Sequence, residues 1–130
     1  MDAKFNEATY NRPEGDRIID APFVFIDIEN YHRQLKEEDA WSSNDRNGIT
    51  VFKSEKQTVV LTAFHAGAKL PEKEIKGRVM IHVLEGLLRI NIGGEDCELK
   101  KGNIVVLQEG VKHCVNIQDD SLVMITTNLN

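Results

Sequence analysis

From Thr58 to the C-terminus, short apolar segments alternate with glycine-containing turns. The segments are rich in Val, Ile, Leu and Thr, and residues 88–92 alternate apolar and polar side chains with the period of a half-buried strand. Gly86, Gly93 and Gly102 supply the conformational freedom that tight hairpin turns need. Closely spaced strands with such turns predict an all-β sandwich or barrel. The predicted strands are residues 59–64, 79–84, 87–92, 104–107, 111–117 and 122–127.

The first part of the chain lacks this regularity. Residues 1–20 are mostly polar and are predicted to form a loose or partner-dependent arm. Residues 23–28 are apolar and are predicted to form a strand, with Pro22 tolerated at its start or on a sheet edge. An exposed edge strand of this kind is a pairing hazard unless it is covered. The arm is therefore a candidate surface for assembly.

A helix is predicted over residues 29–41, where Tyr31, Leu35 and Ala40 or Trp41 recur at near-helical spacing among charged residues. Asp27 or Asn30 is the candidate N-cap. Residues 42–48 are rich in Ser, Asn and Asp and are predicted to form a loop. The expected organisation is one domain, in which an N-terminal arm and one short helix (residues 1–48) pack on a β-barrel (residues 49–130).

Composition and charge narrow the classes of partner. A chain of 130 residues can bury a core without disulfides or a structural metal. Its net charge of −5, without a basic stripe, argues against nucleic acid as a partner. No signal peptide or apolar run of membrane-spanning length occurs in the sequence, so we expect a cytoplasmic protein that does not bind membranes. Cys97 and Cys114 are then expected to be free thiols.

Five residues stand at the spacings of a paired metal-binding motif: Gly67, Gly86, Gly102, Gly110 and His113. In these spacings the chain resembles the cupin family, whose first motif is Gly, five residues, His-x-His, three residues, Glu, six residues and Gly. The second cupin motif begins at a glycine and contains the fourth metal ligand, a histidine. The resemblance covers residues 58–127 and implies a double-stranded β-helix, also called a jelly-roll barrel.

Most of the metal ligands that the resemblance implies are replaced in this chain. Lys73, Ile75 and Val79 stand where the family has His, His and Glu, whereas His113 matches the fourth ligand. A divalent metal needs several convergent nitrogen, oxygen or sulfur donors. An ammonium group repels a cation, and aliphatic side chains donate nothing. We therefore predict no metal and no other cofactor.

An atypical metal site is the alternative. A bulge of one residue would bring Glu72 and Glu74 into the His-x-His positions. Together with His113, and with His65 as a further imidazole donor, these carboxylates would form an unusual ligand set.

Strand alternation predicts which side chains face the barrel interior. If Val79 and His113 face inward, Ile81 and Val83 share that face and His82 lies on the opposite one. The interior is then apolar with a single imidazole, which favours an organic ligand over a hydrated ion. The predicted ligand-binding residues are His113, Lys73, Ile75, Val79, Ile81 and Val83.

Three functions are consistent with this pattern. The leading hypothesis is a small-molecule-binding domain of undefined specificity. The first alternative is an enzyme that uses either the atypical metal site or His113 as a general acid or base at neutral pH. The second alternative is a dimeric assembly or regulatory module, because the cupin resemblance implies pairing through sheet faces and N-terminal strands. A homodimer is expected.

Overall fold

Two antiparallel sheets pack face to face in a computed structural model that describes residues 3–129. Met1, Asp2 and Asn130 belong to the predicted arm and barrel but lie outside the described residues. The elements, in chain order, are β1 (Lys4–Asn6), β2 (Arg17–Asp20), α1 (Ile28–Glu37), α2 (Asp39–Ser43), β3 (Arg46–Lys53), β4 (Gln57–Phe64), β5 (Lys69–Lys73), β6 (Arg78–Glu85), β7 (Leu87–Ile92), β8 (Glu95–Lys100), β9 (Ile104–Leu107), β10 (His113–Ile117) and β11 (Ser121–Asn128).

The strand order confirms the predicted all-β jelly roll. One sheet has the order β5-β10-β7-β8, and the other has the order β3-β4-β11-β6-β9. Every predicted barrel strand is present, and the barrel begins at Arg46 rather than at residue 49. Besides β1 and β2 of the arm, and β3, which begins the barrel, two strands fall outside the predicted set, β5 and β8. Both carry mostly charged and polar side chains, so they lack the apolar alternation that marked the other strands.

The main core lies between the two sheets. Val79, Ile81 and Val83 alternate along β6 and all face this core, as predicted, whereas His82 lies on the outer face beside Met124 of β11. The other buried members of this cluster are Phe64, Ala68, Leu88, Ile90, Leu99, Leu107, Val115, Ile117 and Val123. The barrel is therefore filled by aliphatic side chains over most of its length.

A second core lies between α1 and the outer face of the five-stranded sheet. Leu35 is fully buried there against Ile49 of β3 and Leu61 of β4. The side chain of Asp27 caps α1, because its Oδ1 accepts a hydrogen bond from the backbone N–H of Asn30 at 3.1 Å. The helix thus covers part of a sheet face that would otherwise be exposed.

The prediction of one short helix over residues 29–41 was wrong in one respect. Glu38 has extended backbone angles (φ −75°, ψ 146°) and divides the segment into α1 and α2. This break turns the carboxylate of Glu38 toward Arg12, Gln34 and Asn47, which all donate hydrogen bonds to it. A buried carboxylate that needs several donors therefore overrides the helical pattern.

The prediction of a strand over residues 23–28 was also wrong. The arm instead forms a two-stranded sheet from β1 and β2, and no strand is present between β2 and α1. Phe23 and Phe25 are each 84% exposed, and Ile28 already belongs to α1. An apolar segment without a neighbouring strand has no partner for its backbone groups, so its composition alone does not make it a strand. Among residues 3–129, no helix is both long enough and apolar enough to cross a membrane.

Candidate ligand-binding site

One end of the barrel brings together His113 and the three residues that replace the other cupin ligands. His113 begins β10, and its cross-strand partners are Lys73 at the end of β5 and Ile92 at the end of β7. Val79, near the start of β6, pairs with Leu107 at the end of β9. We call this end, where β5, β7 and β9 finish and β6 and β10 begin, the barrel mouth.

His113 is buried in the barrel mouth, but only one of its two ring nitrogens has a hydrogen-bond partner within residues 3–129. Its residue is 8% exposed, and its ring Nδ1 lies 3.4 Å from the backbone carbonyl oxygen of Val111. Within residues 3–129, the structure gives Nε2 of His113 no hydrogen-bond partner. This imidazole nitrogen is available to a ligand.

Apolar side chains share this end of the barrel with His113. Val79 is buried, while Ile75, Ile92 and Val111 are partly buried against the main core. Ile75 and Val79 were predicted from the sequence as site residues, whereas Ile92 was not. The signal was present, because Ile92 ends the alternating run of β7 on the same face as Leu88 and Ile90. The mouth therefore offers one polar atom in an apolar wall.

Lys73 lies at the rim of the mouth. Its residue is exposed, and it stands directly opposite His113 in the antiparallel pair of β5 and β10. Opposed residues of an antiparallel pair project to the same side of the sheet. Lys73 therefore places a positive charge at the entrance, on the side of the imidazole.

Two predicted site residues lie deeper in the barrel. Ile81 and Val83 are buried in the main core, behind Val79 on the same face of β6. Four residues of strand separate Val83 from Val79, a distance of roughly 13 Å at the usual rise per residue. Ile81 supports the mouth from behind, whereas Val83 packs toward the other end of the barrel.

The residues in the barrel mouth do not fit a divalent metal. His113 is the single donor among the four positions that hold the metal in the cupin motif, because Lys73, Ile75 and Val79 replace the others. No group of three or more His, Cys, Asp or Glu side chains in the described part of the chain is placed to hold a metal ion. We therefore assign no step to a metal.

The alternative metal ligands are not brought together. Glu72 and Glu74 are exposed at and beyond the end of β5. His65 follows the last residue of β4, at the end of the barrel opposite the mouth. Its ring stacks on Trp41 with centroids 3.5 Å apart, and its Nε2 lies 2.7 Å from the carbonyl oxygen of Trp41. His65 is thus held by α2 and is far from His113.

The two cysteines are free thiols, as predicted. Cys114 follows His113 on β10 and faces the other side of the sheet, opposite Asn91 of β7. Cys97 is exposed on β8. Neither thiol shares the mouth with the imidazole, so a Cys-His nucleophile pair is absent from the described residues.

Comparison with known proteins places the chain in a family. A sequence model of the cupin domain matches residues 60–128, which is more than half of the chain. The chain therefore belongs to the cupin domain family. A search of curated proteins found no match.

Solved structures share the fold. A conserved protein of unknown function from Streptococcus pyogenes is 15% identical, with a TM-score of 0.68 over 86% of this chain and 91% of that one. The cupin domain of Cnp3 from Schizosaccharomyces pombe is 16% identical, with a TM-score of 0.63 over 100% of this chain and 89% of that one. An RmlC-like cupin from Desulfovibrio desulfuricans is 28% identical, with a TM-score of 0.58 over 64% of this chain and 81% of that one. At these identities the likeness concerns the fold and not the ligand.

Proposed function

We propose that this cupin domain binds a small organic molecule at the barrel mouth, without a metal. The observation that carries the proposal is the almost buried imidazole of His113 at a barrel end rich in apolar side chains. Within residues 3–129, the structure gives its Nε2 atom no hydrogen-bond partner. A ligand with an apolar body and one polar end would satisfy that nitrogen and cover the partly exposed Ile75 and Val111.

The expected energetics favour this class of ligand. Burying each methylene group of a ligand contributes about 0.8 kcal/mol, and one hydrogen bond to the imidazole adds about 1 kcal/mol. Lys73 at the rim adds a favourable contact for a carboxylate and an unfavourable one for an amine. An aliphatic carboxylate or alcohol is therefore expected to bind better than the corresponding amine.

The test uses hexanoate, 1-hexanol and hexylamine, which share an apolar body and differ in the polar end. Each is titrated into the protein while the methyl resonances of Ile75 and Val79 are followed by NMR. We expect saturable shifts with hexanoate and 1-hexanol, and weaker binding of hexylamine. His113→Leu should weaken 1-hexanol binding about fivefold, because the hydrogen bond that the hydroxyl donates to Nε2 is lost.

His82→Leu is the matched control, because His82 lies on the outer face of the same sheet. It should leave the affinity for 1-hexanol unchanged. The proposal fails if none of the three probes shifts the Ile75 and Val79 methyl signals, or if His82→Leu weakens binding as much as His113→Leu.

Catalysis by His113 is the rival function at the same site. General acid–base chemistry needs a second oriented group that contacts the substrate. The titratable residue that the strand register places opposite His113 is Lys73. Conversion of a bound probe that required both His113 and Lys73 would favour an enzyme.

A second proposed function, compatible with the first, is pairing of two copies through the arm. Phe23 and Phe25 are each 84% exposed, and together with Ile18 and Tyr31 they line an apolar groove of about 430 Å³. The charged residue in this groove, Arg17, donates its hydrogen bonds to the carbonyl oxygens of Thr50 and Gly15. An exposed apolar patch whose one cation is held by backbone carbonyl groups suits a two-fold contact with a second copy.

A further inference from the structure

A second cavity lies at the end of the barrel opposite the mouth. It has a volume of about 230 Å³ and lies between the two helices and the turns that lead into β7 and β11. The residues that matter for its chemistry are His32, Lys36, Trp41, Glu85, Asp120 and Leu122. Glu85 is six residues along β6 from Val79, so the cavity and the mouth are roughly 20 Å apart.

Charges of opposite sign line opposite walls of this cavity. Lys36 extends from α1, whereas Glu85 and Asp120 belong to the barrel turns. Within residues 3–129, no ion pair joins Lys36 to either carboxylate. Glu85 lies 3.5 Å from Lys101 in an exposed pair, and Oδ1 of Asp120 accepts the backbone N–H of Ala66 at 2.8 Å. The ammonium group of Lys36 thus lies across the cavity from the carboxylates of Glu85 and Asp120 and forms no ion pair with either of them.

His32 adds a neutral polar group to the positive wall. Partial burial lowers the pKa of His32, the neighbouring Lys36 lowers it further, and Glu85 opposes the change. The lowered pKa favours the neutral imidazole, which can donate or accept a hydrogen bond. The charges that face the cavity are then those of Lys36, Glu85 and Asp120.

An aromatic ring and an aliphatic side chain complete the cavity. The ring of Trp41 stacks on His65 at an interplanar angle of 17°, which fixes its orientation. Leu122 supplies an apolar contact. The carboxylates on the neighbouring wall favour a bound ammonium group by charge, and the apolar contacts suit a short carbon chain.

We propose that this cavity binds a small zwitterion, with its ammonium group toward Glu85 and Asp120 and its carboxylate toward Lys36. A molecule that carries both charges can place each charge beside the wall of opposite charge. A simple anion of similar size would be repelled by the two carboxylates, and a simple cation would be repelled by Lys36, so each would face one wall of like charge. This site is separate from the ligand site at the barrel mouth and does not depend on His113.

The protein has a built-in reporter for this cavity, because Trp41 is the single tryptophan of the chain. Its fluorescence is followed during titration with glycine, β-alanine and 4-aminobutyrate, which differ in the distance between the two charges. Butyrate and butylamine, at the same ionic strength, are the singly charged controls. We expect a saturable change with at least one amino acid at concentrations up to about ten millimolar, and none with either control.

The variants Lys36→Met and Glu85→Gln each remove one charge from the walls and should weaken amino-acid binding about tenfold or more. Lys53→Met is the matched control, because Lys53 is exposed at the end of β3 and does not line the cavity. His113→Leu should leave the Trp41 titration unchanged, so this proposal and the function proposed for the mouth can fail independently.

The proposal is overturned if no amino acid gives a saturable change. It is also overturned if butylamine or butyrate binds as well as the best zwitterion, or if Lys36→Met and Glu85→Gln bind that zwitterion as tightly as the unmodified protein.

Discussion

The guanidinium Nε of Arg12 lies 3.1 Å from both carboxylate oxygens of Glu38. This contact joins the N-terminal arm to the junction of α1 and α2, where the side chain of Glu38 is 6% exposed. A second nitrogen of Arg12, Nη2, donates to Oδ1 of Asn47 at 3.1 Å and to the carbonyl oxygen of Gly48 at 2.7 Å. One arginine therefore connects the arm, a helix end and the edge strand β3.

Arg12→Ala is expected to lower the free energy of unfolding by about 2–3 kcal/mol, because it leaves the buried carboxylate of Glu38 without its cation. Chemical denaturation measures this loss. Arg33→Ala is the control, since the 2.6 Å pair of Arg33 with Glu37 lies on an exposed helix face and should be worth about 0.5 kcal/mol or less. Equal losses in the two variants would contradict the anchoring role of Arg12.

The same contact predicts a loss of stability in acid. Burial raises the pKa of Glu38, but hydrogen bonds from Asn47, Gln34 and Arg12 and the charge of Arg12 outweigh it, so the pKa is lowered in the folded protein. A carboxyl group with a lowered folded pKa contributes stability above its unfolded pKa, about 4.3, and loses it as the pH falls through the folded value.

Comparison with Glu38→Gln isolates this contribution. The difference in unfolding free energy between the unmodified protein and Glu38→Gln should be constant from neutral pH down to about pH 5 and should shrink as the pH falls further. Urea denaturation at several pH values measures it. A difference that did not change between about pH 7 and pH 3 would show that Glu38 is not the titrating group.

Gly86 is expected to tolerate no side chain. Its φ of +99° is unfavourable for other residues, and a Cβ atom there would overlap Oγ of Ser121 and crowd the backbone carbonyl of Asp120. Gly93→Ala is the matched control, because Gly93 also has a positive φ, of 59°, but has nothing within 4 Å of an added Cβ. We expect thermal denaturation to give a loss of about 1 kcal/mol for Gly93→Ala and at least 3 kcal/mol for Gly86→Ala. Similar losses would refute the steric argument.

Pairing through the arm predicts a change in oligomeric state. Light scattering should show a dimer for the unmodified protein. At the same concentration, the double variant with Phe23→Ser and Phe25→Ser should be a folded monomer, since the apolar contact area is removed. Tyr10→Ser is the control, because Tyr10 is 97% exposed and does not line the apolar groove. An unchanged dimer in the double variant would place the interface elsewhere.

Sequence patterns predicted the barrel because its strands bury alternate side chains, and alternation is visible in a single chain. The position of Val79, Ile81 and Val83 on the inner face followed from that rule. The break at Glu38 did not, because it depends on Arg12 and Asn47, which are distant in sequence and supply the donors. Local pattern carries no information about such long-range contacts.

The candidate site was predictable only in part, for a related reason. The glycine spacings around His113 gave its position at the barrel mouth. They did not distinguish Val79, which lines the mouth, from Val83, which lies deeper on the same face. The cavity beside Trp41 left no motif, because its charged residues come from α1 and two separate turns. Those residues meet only through the packing of the helix on the sheet.

We propose above that the barrel mouth binds an organic ligand rather than a metal. Plasma mass spectrometry of protein purified without chelator or affinity tag, on the unmodified chain and on His113→Ala, tests it most directly. We expect no stoichiometric metal in either protein, because His113 alone among the four motif positions offers a donor. Near-stoichiometric metal that is lost in His113→Ala would contradict the account and would make a metal-dependent enzyme the leading function.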